Sequence, residues 1–247
     1  MKFLAIIPSR FSSTRFPGKP LVEIQSRPMI QWVYERASEY FEHCYVATDD
    51  DRIFSAVENF NGKVVMTSTE HKSGTDRCAE ALDKIEKTTG IKFDVVVNVQ
   101  GDEPFICSEH LSLIKGLFKD ENCQIATLVK YFSEGEDIFS TTLPKVVRDK
   151  NDNAIYFSRS VIPHLRAYEQ KDWQKTHNYL KHIGLYAYKT NILREITSLE
   201  MGTLETLESL EQLRWIENGY KIKTALTDKE TVAVDTPEDL ERIIKML

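Results

Sequence analysis

Arg10, Arg15 and Lys19 fall in one short run, interleaved with Ser9, Ser12, Ser13, Thr14 and Gly18. Guanidinium and ammonium groups set among small hydroxyl donors can wrap a polyphosphate. Solvated surface charge is the alternative that composition leaves open. The run follows directly on the apolar stretch Phe3 to Ile7, and open α/β sheets bind ligands beyond the carboxyl ends of their strands, which favours the phosphate reading. Gly18-Lys19 is followed by Pro20, so the run is not a Walker A loop, and Gly-x-Gly-x-x-Gly does not occur.

A second chemistry-bearing stretch, Gln100-Gly101-Asp102-Glu103-Pro104, puts adjacent acids after the apolar run Val95 to Val99. Such acids suit a hard cation. Mg2+ takes one or two carboxylates and fills its remaining sites with waters and substrate phosphate oxygens. The alternative is an acidic turn in which Asp102 or Glu103 caps a helix near Ser108. Asp235 also ends a short apolar run, Val232 to Val234, just before Pro237. Asp235 or Thr236 can serve there simply as an N-cap with Pro237 in the first helical turn, and local sequence favours that role over a metal site facing Asp102.

His71-Lys72-Ser73-Gly74-Thr75-Asp76-Arg77 is a polar turn whose amides and hydroxyls can hold a base or phosphate, or cap the next helix through Ser73 or Thr75. His182 sits at the start of Ile183 to Tyr188, where a lone histidine is more often a hydrogen-bonded structural residue. Glu208, Glu211 and Gln212 share one face of a helix expected over Thr206 to Asn218, with Leu207, Leu210, Leu213 and Ile216 inward. The default reading of that face is solvated charge.

These residues need elements to position them. Phe3 to Ile7, Cys44 to Thr48, Lys63 to Met66 and Phe93 to Val99 are short apolar or β-branched runs separated by helical periodicities. This alternation predicts parallel strands with crossover helices. Met29, Val33, Ala37 and Tyr40 mark one helical face, Ile53, Ala56, Val57 and Phe60 a second, and Cys78, Ala81, Leu82 and Ile85 a third within Gly74 to Lys87. Val95 to Val99 is the candidate sheet centre because strands buried on both faces read as continuous apolar runs. Beyond Cys123 the alternation breaks. Ile125 to Tyr131, Lys145 to Arg148, Ala154 to Phe157 and Ile183 to Tyr188 read as strands, Pro163 to Asn178 as a mobile surface loop, and Pro237 to Met246 as a closing helix. Pro144 favours an edge position or an irregular start for the strand at Lys145.

The chain has 247 residues, 41% hydrophobic and 28% charged, enough for a folded domain with a substantial core. A net charge of −6 argues against nucleic acid or an anionic membrane as partner, so any anion must meet local cations. No apolar run approaches the length of a signal segment or membrane span, which points to the cytoplasm. Cys44, Cys78, Cys107 and Cys123 lack metal-ligand spacing and read as reduced core thiols.

The ordered set of motifs resembles the 3-deoxy-manno-octulosonate (Kdo) cytidylyltransferase family. The matching stretches are Ile7-Pro8-Ser9-Arg10-Phe11 with Arg15-Phe16-Pro17-Gly18-Lys19-Pro20, Val46-Ala47-Thr48-Asp49, His71 to Arg77, Val97 to Pro104, Tyr156-Phe157-Ser158-Arg159, His182 to Tyr186, Leu210 to Arg214, and Val234 to Leu240. Ser9 stands where the family often has Ala. The resemblance implies a three-layer α/β/α fold of the nucleotide-diphospho-sugar-transferase (Rossmann-like) type, with a mixed, mainly parallel sheet and an antiparallel insertion. It implies one domain over residues 1–247, with a nucleotide half over about 1–122 and a sugar-binding and dimerisation half over 123–247 whose C-terminus returns to the metal site. It further implies Mg2+-dependent transfer of CMP from CTP to the anomeric hydroxyl of Kdo, releasing pyrophosphate, in lipopolysaccharide biosynthesis, by a cytoplasmic homodimer. By the same resemblance Asp102 and Asp235 ligate metal, and Arg10, Arg15 and Lys19 hold the triphosphate, Lys19 acting in catalysis with the two acids. Ser73, Gly74, Thr75 and Arg77 join the nucleotide site, and Gln100, Arg159, His182, Tyr186, Glu211 and Gln212 form the sugar site, with Arg159 facing the sugar carboxylate. An 8-amino-Kdo or sialic acid cytidylyltransferase, and a non-catalytic nucleotide-binding protein of the same fold, are the alternatives.

Overall fold

The structure is a computed structural model that describes residues 1–12, 16–231, 233–234 and 236–244. The chain divides into two compact units, Met1–Leu111 with Ala187–Thr197 and Thr231–Leu247, and Ser112–Tyr186 with Ser198–Glu230.

In the first unit, β1 (Phe3–Ser9) leads into a short hairpin, β2 (Glu23–Ile24) and β3 (Arg27–Pro28). Then α1 (Met29–Tyr40), β4 (Cys44–Thr48), α2 (Asp51–Asn59), β5 (Val64–Met66), α3 (Gly74–Thr89), β6 (Val95–Asn98) and the start of α4 (Ser108–Leu117) follow. The strands lie in the order β6-β1-β4-β5, all parallel, with Leu4 opposite Val96 and Ala5 opposite Cys44. Every residue of β6 is buried, as its unbroken apolar run predicts. Helical periodicity correctly assigns Met29, Val33 and Ala37 of α1, Ile53 and Val57 of α2, and Cys78, Ala81, Leu82 and Ile85 of α3 to the core, while Tyr40 stays half-exposed.

Local chemistry sets the helix ends. Ser73 Oγ accepts the Asp76 N–H while the Asp76 carboxylate accepts the Ser73 N–H, a reciprocal cap on α3, and Gly90 closes that helix at φ 72°. Thr236 and Asp239 cap α9 (Pro237–Ile244) in the same way. Of the two cap candidates there, Thr236 does the capping; Asp235 itself lies outside the described residues, as does Arg15.

In the second unit, β7 (Ile125–Tyr131) precedes β8 (Lys145–Arg148), β9 (Ala154–Ser158), α5 (Trp173–Thr176) and β10 (Leu180–Lys189), whose last residues pass with α6 (Thr190–Ile196) into the first unit. The second unit then holds α7 (Thr203–Glu208), α8 (Gln212–Glu217) and β11 (Ile222–Leu226). β11 pairs parallel with β7, whereas β8 pairs antiparallel with both β9 and β10. The result is the expected mixed, mainly parallel α/β architecture with an antiparallel addition.

Three expectations need correction. The helix expected over Thr206 to Asn218 is two helices, broken at Ser209, which takes the left-handed conformation at φ 51°, and Leu207 consequently points out at 76% exposure. Periodicity runs through such a break because one left-handed residue changes direction without changing the pattern. Pro163 to Asn178 is anchored, since Trp173 is buried against Ile138 and Tyr179 and its indole N–H donates to the Tyr168 carbonyl at 3.0 Å. β8 is paired on both sides, and Pro144 is tolerated at its entry because the contact there uses the proline carbonyl, which accepts the His182 N–H at 2.9 Å. Among the described residues no helix is long and apolar enough to cross a membrane. The cysteines are free, three of them buried and Cys107 partly accessible.

Candidate active site

The carboxyl ends of β1 and β6 and the N-terminus of α3 border a cleft of about 230 Å³ in the first unit. β1 delivers Ser9 and Arg10, α3 with its cap delivers Ser73, Gly74 and Arg77, and the turn after β6 delivers Gln100, Gly101 and Asp102. Gly18, left-handed at φ 73°, starts a 3-10 turn that brings Lys19 to the same cleft.

Lys19 and Asp102 meet there. The ammonium donates to Asp102 Oδ2 at 2.7 Å, with 14% and 28% of the two side chains exposed. Gly101 is required beside them, because a Cβ would stand 2.7 Å from Ser9 Oγ and 3.0 Å from the Pro8 carbonyl. Ser9 Oγ is buried and has no hydrogen-bond partner among the described residues. The neighbour of Asp102 behaves differently. Glu103 is buried, its Oε2 has no hydrogen-bond partner among the described residues, and burial, then the charge of Asp102, pushes its carboxyl up to about 8. Among the described residues neither carboxylate accepts from an amide of α4.

Arg77 lines the cleft but is only 3% exposed. Its Nη2 donates to Asp49 Oδ2 at 2.6 Å and its Nη1 to Thr67 Oγ1 at 2.5 Å, so much of its donor capacity is spent holding the end of β4. Thr75 is buried behind the capping turn and is not part of the cleft lining. His71, not singled out from the sequence as a site residue, also lines the cleft. It contacts Glu80, whose carboxyl is held down to about 2 by Lys84, the Ser68 amide and His71 in spite of burial. The i, i+4 spacing of Glu80 and Lys84 was a legible signal; the pairing with His71 across the turn was not.

For a metal, the donor set is sparse and oxygen-rich. Among the described residues no group of three or more His, Cys, Asp and Glu gathers, but Asp102 is partly accessible and commits Oδ2 to Lys19. The Val234 N–H donates to the Asp102 carbonyl at 2.9 Å, which ties the segment leading to Asp235 to the Asp102 turn. Few protein carboxylates beside a cationic loop fit Mg2+ better than a soft or fully caged ion.

The second unit collects a separate polar group. His182 Nε2 lies 3.0 Å from Thr127 Oγ1, and its ring packs against Phe157 and Tyr186 with centroids 5.3 and 5.1 Å away. This enclosure pushes His182 down to about 4, so the imidazole is neutral at pH 7. Tyr186 stacks edge-on against Trp215, and burial, then the charge of Glu211, raises its phenol. Gln212 is buried with its Nε2 unpartnered among the described residues. Arg159 is engaged with backbone, its guanidinium donating to the carbonyls of Glu208 at 2.7 Å, Thr141 at 2.8 Å and Ser209 at 3.2 Å.

With this geometry in place, comparison with known proteins is specific. A family model described as cytidylyltransferase matches residues 4–222. The chain is 54% identical to a 3-deoxy-manno-octulosonate cytidylyltransferase of Parabacteroides distasonis over 100% of this chain and 98% of the relative. It is 56% identical to that of Bacteroides thetaiotaomicron over 100% and 98% of the two chains. A solved structure of CMP:2-keto-3-deoxy-manno-octonic acid synthetase complexed with CTP superposes with a TM-score of 0.90 at 39% identity, covering 100% of this chain and 98% of the other. A Leptospira borgpetersenii cytidylyltransferase at 18% identity and TM-score 0.62, covering 99% of this chain and 85% of the other, shares the fold. By sequence over its full length and by structure, the chain belongs to the 3-deoxy-manno-octulosonate cytidylyltransferase family.

Proposed function

We propose that this chain transfers CMP from CTP to the anomeric hydroxyl of Kdo, with Mg2+. The α-phosphorus gains a bond to the sugar oxygen and loses its bond to the β-phosphate bridge, pyrophosphate leaves, and the hydroxyl proton is released. The observation that carries this reading is the Lys19–Asp102 pair beside Arg10 in a cleft at the carboxyl ends of β1 and β6. A cation there offsets charge on a departing pyrophosphate, and an accessible carboxylate beside it suits a phosphate-bound divalent ion.

Asp102, with Asp235 as the second ligand, would hold Mg2+, which when bound neutralises phosphate charge and polarises phosphorus. Lys19 and Arg10 bind and orient the triphosphate, and Ser73 and Gly74 offer the start of α3 to the nucleotide. His182 stays neutral and serves as a hydrogen-bonding group for a sugar hydroxyl, with the Tyr186 ring beside it; Glu211, Gln212 and, separately, Gln100 are further candidates for sugar contacts. Arg159, clasping backbone carbonyls, orders the strand end beside it and keeps donors for a carboxylate, since a guanidinium carries five N–H groups. Names of relatives across the family support Kdo as the acceptor.

Pyrophosphate release from CTP measured with each component withheld tests the reading. Release is expected only when Kdo and Mg2+ are both present, and release independent of either sinks it. Asp102→Asn is expected to lower kcat by about 100-fold or more, the scale of losing a group that stabilises transition-state charge, with the unfolding temperature little changed. Near-normal turnover of Asp102→Asn would remove metal ligation from the account. Kdo, 8-amino-Kdo and sialic acid offered in competition report which acceptor the sugar site prefers.

A further inference from the structure

Arg10 and Lys19 both line the cleft, and a contact between the described residues Phe11 and Gly18 lies just beside it. The Gly18 N–H donates to the Phe11 carbonyl at 3.0 Å, and the Phe11 ring lies against Gly18, where a Cβ would meet Phe11 Cζ at 3.0 Å. Arg52 stacks over that ring, its guanidinium carbon 3.3 Å from the ring centroid. Arg52 is itself held, its Nε and Nη2 donating to the two carboxylate oxygens of Asp50 at 2.9 and 2.7 Å. Asp50 in turn is the N-cap of α2 and is set directly after β4.

We propose that Arg52 and Phe11 are positioning residues for nucleotide use: Asp50 aims the Arg52 guanidinium over Phe11, and the stacked ring holds Gly18 where the following Lys19 reaches Asp102. This inference rests on the reading of the cleft as the CTP site. Arg52 is 60% exposed, so core packing does not explain it, and its Nε and Nη2 are committed to Asp50. Its effect passes through the ring. Guanidinium stacking on an aromatic face is worth little to global stability at an exposed site, but it restricts the register of a loop whose two ends carry the phosphate-facing cations.

The test compares Arg52→Ala, Phe11→Leu, the double variant and Arg52→Lys with wild type, reading KM for CTP, KM for Kdo, kcat and the unfolding temperature. Arg52→Ala is expected to raise KM for CTP roughly two- to fivefold, the scale of an exposed cation–π contact, with KM for Kdo and the unfolding temperature unchanged. The double variant should be no worse than Phe11→Leu alone, because both changes break one contact, and Arg52→Lys should recover part of the loss. An unchanged KM for CTP in Arg52→Ala, additive losses in the double variant, or parallel losses in both KM values together with the unfolding temperature each overturn the proposal. Lys19→Ala separates this from failure of the site reading. If Lys19→Ala raises KM for CTP and Arg52→Ala does not, the brace alone is wrong; if neither does, the cleft is not the CTP site and both fall.

Discussion

Asp102 and Glu103 are chemically similar neighbours with opposite surroundings. One carboxylate reaches Lys19 at 2.7 Å while the other is buried, one of its oxygens without a partner among the described residues, and pushed up to about 8. The sequence offers the two acids as equivalent candidates; only the direction each side chain takes out of the turn separates them. Glu103 has a clear pH signature. Its folded value lies above its unfolded value, so between about 4.5 and 8 the native state keeps a proton that the unfolded state has released, and stability falls as pH rises through that window. Below it both states are protonated and the term vanishes. Glu103→Gln cannot ionise, so its stability relative to wild type should climb from pH 5 to pH 8, by at most about 1.4 kcal/mol per pH unit. Thermal unfolding of both proteins across that range checks this, and a constant difference would mean that Glu103 is not buried as an acid.

At the scale of elements, the break between α7 and α8 is the feature that periodicity misses and polar groups explain. The carbonyls of Glu208 and Ser209, lost to a continuous helix, accept from Arg159, and the Glu208 carboxylate accepts the Ser158 hydroxyl at 2.6 Å and the Arg159 N–H at 2.9 Å. Lys145 does similar work nearby, donating to the carbonyls of Ser140, Leu143 and Arg159 while burial lowers its pKa. These contacts hold Ser209 left-handed, at a cost of about 1–2 kcal/mol for a residue with a Cβ. Ser209→Gly relieves that cost against about 0.5–1 kcal/mol of added chain entropy, so a net gain of about 0.5–1 kcal/mol is expected. Chemical denaturation measures it, and a less stable glycine variant would show that Ser209 is held by something other than its backbone.

Over the whole molecule, ordinary composition and a net charge of −6 already say that anions must be met locally, and the cations brought to the cleft are of that kind. The same scale sets thiol chemistry. Cys44, Cys78 and Cys123 are at most 3% exposed, and burial pushes Cys44 up to about 12, whereas Cys107 is only partly covered. A native-state titration with a thiol reagent should therefore label about one thiol quickly, and denaturation should release all four. Rapid labelling of more than one would mean that the core opens readily, since Cys44 starts β4, Cys78 lies in α3 and Cys123 is buried in the turn before β7.

Local order is legible along the chain. The alternating strands and helices, β6 as a strand buried on both faces and the position of the cationic loop after β1 all follow from periodicity and turn residues acting over a few positions; a cap at Ser73 or Thr75 is also legible, and the structure selects Ser73 with Asp76. The motif order then carries the family. Pairing across long separations emerges only on packing. Lys19 finds Asp102 83 residues away, Arg77 is drawn inward by Asp49, Arg159 turns to backbone carbonyls 49 and 50 residues on, and Arg52 covers Phe11. The reason is physical: propensity and capping depend on neighbours along the chain, whereas desolvation and ion pairing depend on which surfaces packing removes from water.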